Sequence, residues 1–196
     1  MRVLIISTYR CGGNSFTSWI AEELKSDAIF EPYDYSNENK IKNKFWIYNK
    51  QKYHQIVKSF DFFNEDNIVV KIPYNDSLEP IDSLINKFDK SIAITRDNIR
   101  ESAESMLWAK QNDQWQKKYK INDDWIKNNI NEIENEMKSH CYMNLKVKNL
   151  PILQVTYENL FQERTDIIKV EDFLDIKYNH CMDEENKLRN GKKSFI

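Results

Sequence analysis

A short stretch near the start of the chain combines the residue types that bind anions. Residues 9–15 read YRCGGNS; an apolar run precedes them at residues 3–6, and helical spacing of apolar residues begins at Phe16. Strand, glycine turn and helix in this order place backbone N–H groups at the positive end of a helix dipole, which favours a bound anion. Gly12 and Gly13 are two of only three glycines in the chain, so we predict that the turn needs close backbone approach or a positive φ. A tight turn that binds nothing is the alternative.

Cations also lie within or directly after other apolar runs. Lys71 lies within one such run, and Arg96 directly follows another. Because the carboxyl ends of parallel strands meet at one edge of a sheet, we expect Arg10, Lys71 and Arg96 to converge there, together with Glu31 and Glu158. Several cations beside a glycine turn suit a multiply anionic ligand, such as a nucleotide with more than one phosphate. A lone surface arginine is more often solvated or ion-paired, so this prediction depends on the convergence.

Five apolar runs alternate with amphipathic segments along the chain. We predict strands at residues 3–6, 28–32, 67–73, 91–95 and 151–156, and helices at 15–25, 53–63, 77–88, 96–111, 125–146 and 167–173. Strands that alternate with helices predict an α/β fold with a central, mainly parallel sheet of about five strands flanked by helices.

One domain is expected over residues 1–196, because this length suits one α/β core and is short for two. Irregular excursions are predicted at residues 33–52 and 112–124, and residues 186–196 form a basic tail. Insertions of this length in compact domains are often functional.

Composition excludes several classes of protein. A formal net charge of −2 gives no general attraction to nucleic acid, and no apolar run reaches the roughly 18 residues that cross a bilayer. The three cysteines, Cys11, Cys141 and Cys181, are widely spaced, which argues against a disulfide framework or a zinc site and favours a reducing cytoplasm. The G-x-x-x-x-G-K-[ST] loop of nucleoside triphosphate hydrolases and the dinucleotide G-x-G-x-x-G are both absent.

The residues resemble the sulfotransferases that use 3′-phosphoadenosine 5′-phosphosulfate (PAPS), and their bacterial branch in particular. The first loop of that family reads P-[RK]-[ST]-G-[ST]-T, and residues 9–14 are similar, with Arg10 at the basic position. Arg96 and Ser105, nine residues apart, resemble the arginine and serine of the second family motif. Residues 157–160, YENL, are similar to the late Y-E-D-L, and residues 189–193 resemble a basic loop that closes over the nucleotide. These matches fall in order along the whole chain.

The resemblance implies a P-loop-like sulfotransferase fold and transfer of a sulfuryl group from PAPS to a hydroxyl or amine by in-line displacement, without a required metal. Arg10 would neutralise charge that grows on the bridging oxygen. Arg96 and Ser105 would hold the 3′-phosphate, and Phe16 would either stack on adenine or pack the helix. The implied nucleotide-binding residues are Arg10, Cys11, Gly12, Gly13, Asn14, Ser15, Phe16, Arg96, Ser105, Arg189 and Lys192.

The chain departs from the family pattern at several positions. Gly13 replaces a hydroxyl residue and Tyr9 replaces a proline, and Pro73 stands where the cytosolic branch has its catalytic histidine. Glu31 is therefore the first candidate for the general base, and Asp34 is the second. We expect ordinary roles for the three histidines, His54, His140 and His180.

The acceptor is expected to be a small molecule, a glycan or a peptide, in a pocket lined by residues 33–52 and 108–125; no nucleic-acid or membrane partner is expected. Two other functions fit the same residues. One is a small-molecule or nucleoside kinase with a degenerate phosphate loop. The other is a nucleotide-binding module without catalysis.

Overall fold

A parallel five-stranded sheet forms the centre of the protein in a computed structural model, which describes residues 1–30, 66–74, 81–113 and 121–177. Its strands are β1 (Arg2–Ser7), β2 (Asp27–Phe30), β3 (Ile68–Pro73), β4 (Lys90–Thr95) and β5 (Leu153–Thr156). The strand order is β2-β3-β1-β4-β5, and every pairing is parallel. The predicted α/β class and central sheet are confirmed.

Helices cover both faces of this sheet. They are α1 (Gly13–Glu23), α2 (Ile81–Ile85), α3 (Ile99–Asn112), α4 (Asp123–Asn128), α5 (Ile130–Lys148), α6 (Tyr157–Phe161) and α7 (Thr165–Leu174). Apolar residues of α1, α6 and α7 share one core cluster with one face of the sheet, and those of α2 and α5 share a second cluster with the other face. Coverage on both faces explains why β1 is apolar and buried from Val3 onward. Among the described residues, no helix is long and apolar enough to cross a membrane.

One predicted helix, at residues 125–146, is instead two helices that meet at Asn129. The Asn129 side-chain amide donates to the carbonyl of Trp125 at 2.8 Å and accepts from Gln111 at 2.8 Å. Asparagine side chains that bond to nearby backbone compete with a continuous helix, which accounts for the break. The predicted helix at residues 53–63 lies outside the described residues.

The strand order reverses at β1 and β4, which are neighbours in the sheet. The chain leaves β1 towards β2 and β3 on one side, and it leaves β4 towards β5 on the other. In open α/β sheets, ligands bind beyond the carboxyl ends of the strands at such a reversal. The topology therefore places the candidate site beyond Ser7 and Thr95.

Candidate anion-binding site

The turn between β1 and α1 is held at its base by the neighbouring strands. The Thr8 N–H donates to the carbonyl of Ile94 in β4 at 3.1 Å, and the Tyr74 N–H donates to the carbonyl of Ser7 at 2.8 Å. Arg10 and Gly12 both adopt left-handed backbone conformations, with φ of 57° and 76°. Gly12 is the N-cap of α1 and has no side chain to bond to the first turn. The positive end of the α1 dipole therefore faces the reversal point of the sheet.

The two glycines are needed for different reasons. A Cβ on Gly12 would lie 2.8 Å from Cε2 of Phe161, in addition to the strain of its positive φ. A Cβ on Gly13 would lie 3.0 Å from Cβ of Ser7 and 3.1 Å from Cε of Lys71. Both parts of the glycine prediction are confirmed. The crowding also explains why a hydroxyl residue is absent at position 13.

Lys71 brings a buried positive charge beneath this turn. It lies within β3, opposite Ile5 of β1, and only 7% of its surface is exposed. Lysine is almost never this buried unless its charge has a partner. Its stem lies against Gly13, as the 3.1 Å approach to Cε indicates. The predicted convergence of Lys71 with the glycine turn is confirmed.

Cys11 turns its side chain into the protein. Its Sγ donates a hydrogen bond to the carbonyl of Thr8 at 3.0 Å. Burial raises the pKa of the Cys11 thiol, and the nearby charge of Lys71 opposes that shift. The thiol is therefore neutral and packed in the core, and a role in binding would fall to the Cys11 backbone.

Arg10, Arg96 and Ser105 meet at the reversal point of the sheet. The strand-end rule predicted that the two arginines converge there, and Ser105 was expected there only from the family resemblance. Nε of Arg10 donates to Oγ of Ser105 at 2.8 Å. Nη1 of Arg96 donates to the carbonyl of Arg10 at 2.9 Å. Two arginines from the ends of β1 and β4 and a serine from α3 thus form one connected group.

Arg96 is the most enclosed member of this group. Only 8% of it is exposed, and its guanidinium lies 4.4 Å from the ring centre of Tyr157. Nη2 pairs with Glu101 at 2.8 Å, and Nε lies 3.9 Å from Glu158. Glu158 also accepts the N–H groups of residues 97 and 98 at 2.9 and 3.0 Å. The YENL segment therefore holds Arg96 and the start of α3 in place.

The remaining predicted site residues have different environments. Asn14 is exposed, and Ser15 is partly buried in the first turn of α1. Phe16 is completely buried beside Trp19, with their ring centres 5.8 Å apart. This burial leaves no ring face for adenine and supports the packing role of Phe16. The predicted roles of Glu31, Asp34, Arg189, Lys192, His54 and His180 concern positions outside the described residues.

Two buried polar side chains of α5 also reach the site, and sequence reasoning did not assign them to it. Nδ1 of His140 lies 2.9 Å from Oγ of Ser102, which donates to the carbonyl of Tyr9 at 2.9 Å. Nδ2 of Asn144 donates to the carbonyl of Arg96 at 2.6 Å. Both residues lie on the apolar stripe that also includes Ile133 and Val147. Polar residues in such a stripe are the signal that could have identified them.

The ionisation of His140 predicts a pH dependence of stability. Burial lowers the pKa of His140; Glu136 opposes this shift, while Lys110 and Arg96 reinforce it. The unfolded chain, with a histidine pKa near 6.5, therefore binds the proton more readily than the folded protein. We expect the contribution of neutral His140 to the free energy of unfolding to be complete above about pH 6.5 and to fall as the pH decreases below that value.

Urea unfolding of the wild type and of His140→Asn at several values between about pH 5 and 8 measures this effect. The loss of unfolding free energy on acidification should be smaller in the variant, because it lacks the titrating ring. Equal pH dependence in the two proteins would contradict the prediction. The other histidines cancel in this comparison.

No family model matches the chain, and no curated protein matches it. A mouse sulfotransferase, SULT7A1, solved in complex with PAP, matches with a TM-score of 0.53 and 17% sequence identity. The alignment covers 97% of this chain and 63% of the mouse protein, so the chain spans less than two thirds of that protein's length. The likeness shows the predicted P-loop-like α/β fold.

A second solved structure is shikimate kinase from Bacteroides thetaiotaomicron. It matches with a TM-score of 0.47 and 10% identity, and the alignment covers 90% of this chain and 99% of the kinase.

Proposed function

We propose that this chain is a sulfotransferase that uses PAPS and transfers its sulfuryl group to a hydroxyl or amine. The observation that carries the proposal is the hydrogen-bonded group of Arg10, Arg96 and Ser105 beside the N-terminus of α1. These are the residues that match the two family motifs, and they lie at the reversal point of the sheet. The fold shared with a sulfotransferase supports the same function.

The turn fits the phosphosulfate end of the donor. The hydroxyls of Ser7 and Thr8 are buried at the base of the turn and have no hydrogen-bond partner among the described residues. A buried hydroxyl without a partner is destabilising unless a ligand or water satisfies it. The two hydroxyls, Lys71 and the N-terminus of α1 together form a polar surface that suits a strongly charged, oxygen-rich group.

The charges of the site suit the chemistry of sulfuryl transfer, which depends on positioning and charge stabilisation. Arg10 would stabilise negative charge on the oxygen that leaves with the nucleotide. Arg96 and Ser105 would hold the 3′-phosphate, with Glu101 as the exposed carboxylate that such a phosphate would displace from Arg96. Glu31, the residue after β2, remains the proposed general base. Arg189 and Lys192 remain proposed contacts from the basic tail.

Thermal unfolding with and without 3′,5′-adenosine bisphosphate (PAP) tests the donor class. At about 100 times its Kd, the ligand should stabilise the protein by about 2.7 kcal/mol and raise Tm. Magnesium with ADP should raise Tm much less. No shift with PAP would contradict the proposal, and a larger shift with magnesium and ADP would indicate a kinase.

Turnover separates an enzyme from a binding module. The protein is incubated without magnesium with labelled PAPS and pools of phenols, alcohols, glycans and peptides. A labelled sulfated product is expected in at least one pool. PAP binding with no product in any pool would indicate a nucleotide-binding module without catalysis.

A further inference from the structure

Two consecutive hydrogen bonds connect helix α5 to the anion-binding turn. One joins His140 to Ser102 of α3, and the other joins Ser102 to the carbonyl of Tyr9; each is 2.9 Å long. Only 2% of the surface of His140 and 1% of that of Ser102 are exposed. Buried polar contacts of this kind are more rigid than exposed ones and position what they bind.

The protons available for these two hydrogen bonds determine the tautomer of His140. The Tyr9 carbonyl can only accept, so the single hydroxyl proton of Ser102 is used there. Oγ of Ser102 must therefore accept from the ring, and Nδ1 of His140 must carry a proton. Nε2 then keeps its lone pair in the neutral ring; it is buried, with no hydrogen-bond partner among the described residues and with Glu136 at 3.9 Å.

The carbonyl that accepts from Ser102 belongs to the residue just before Arg10. The next carbonyl, that of Arg10 itself, accepts from Arg96 at 2.9 Å. Both peptide groups that flank Arg10 are thus fixed, and Arg10 has a left-handed φ of 57°. A residue other than glycine in this conformation is strained and persists only where its surroundings determine it.

We propose that His140 is a positioning residue that, through an Nδ1–H donor to Ser102, holds Arg10 in the conformation that presents its guanidinium to the anion site. The inference rests on the proposed anion-binding function of the turn. Asn144, one helical turn further along α5, acts in parallel on the carbonyl of Arg96. One face of α5 therefore supports the ends of both β1 and β4.

A pair of amide substitutions distinguishes the two ring nitrogens. In His140→Asn the amide nitrogen takes the place of Nδ1 and can still donate to Ser102. In His140→Gln the amide nitrogen takes the place of Nε2 and cannot reach it. We expect the Kd for PAP to stay within about threefold in H140N and to rise about tenfold in H140Q, the effect of one lost hydrogen bond.

Calorimetric titration at 10 °C measures these constants, after circular dichroism has established that both variants are folded at that temperature. A merely structural role would lower Tm in the two variants alike and change Kd in neither, and that result would overturn the proposal. Ser102→Ala provides the second arm. In a protein that already carries S102A, adding H140Q should weaken PAP binding no further, because the hydrogen bonds that connect His140 to Tyr9 are already lost.

Nuclear magnetic resonance of the ligand-free protein tests the role of His140 independently of the proposed function. The 15N shifts of the His140 ring in the ligand-free protein report which nitrogen carries the proton, and Nδ1 is expected. The amide signals of Arg10 and Cys11 should move in H140Q and stay in place in H140N. A proton on Nε2, or equal movement in both variants, overturns the role of His140. Failure of the wild type to bind PAP would instead contradict the proposed function.

Discussion

Replacing Arg10 by alanine is expected to reduce kcat for the proposed sulfuryl transfer by about 10²–10³-fold, the usual effect of removing one group that stabilises charge in the transition state. The substitution removes the guanidinium charge at the turn and the 2.8 Å hydrogen bond to Ser105. Steady-state kinetics with PAPS and an acceptor found in the pools measures the loss, and calorimetry with PAP measures the change in binding. We expect kcat to fall more than affinity.

Arg100→Ala is the matched control for this experiment. Arg100 is an exposed arginine on α3 whose Nε pairs with Glu104 at 2.9 Å, a surface pair that contributes about 0.3–0.5 kcal/mol. Its removal takes away the same charge from the exposed surface of α3, away from the turn, and should leave kcat unchanged. If R10A and R100A have equal activity, Arg10 has no role in the reaction. Arg10→Lys, which keeps the charge and loses the planar group, should be intermediate.

Replacing Gly12 by alanine is expected to destabilise the protein by about 2–5 kcal/mol. A left-handed conformation costs an ordinary residue about 1–2 kcal/mol, and here φ is 76°. The new Cβ would lie 2.8 Å from Phe161 and 3.0 Å from Tyr157, and overpacking of this kind costs about 1–3 kcal/mol. Both rings belong to α6, so the turn and that helix should be displaced together. Urea denaturation measures the change in unfolding free energy.

Asn14→Ala is the control for the glycine substitution. Asn14 lies two residues further along the chain, in the first turn of α1, and is exposed. Its replacement should therefore change the unfolding free energy of the protein by no more than about 0.5 kcal/mol. Gly13→Ala should fall between the two, because its Cβ meets Ser7 and Lys71 at 3.0 and 3.1 Å without a positive φ. A loss below about 1 kcal/mol in G12A would show that the turn relaxes without α6.

The sequence by itself determined the fold class and the general position of the site. Apolar periodicity is local, so the five strands, α1, α3 and α7 could be recognised within a few residues of their observed bounds. The division of residues 125–146 into two helices and the short helix α6 were not predicted. The strand-end rule then predicted that Arg10, Lys71 and Arg96 share one edge of the sheet. The adjacent glycines, in a chain with only three, correctly indicated a turn with close approach to the backbone and, at Gly12, a positive φ.

Only the tertiary structure decided which side chains meet within that site. The bond between Arg10 and Ser105 joins residues 95 positions apart, and that between Ser102 and His140 joins residues 38 apart. Such contacts depend on how α3 and α5 pack against the sheet, which no local pattern specifies. The same packing buried Phe16 in the core and brought His140 to the hydroxyl of Ser102 and Asn144 to the carbonyl of Arg96. Residue types specified a candidate anion site, and helix packing specified which side chains support it.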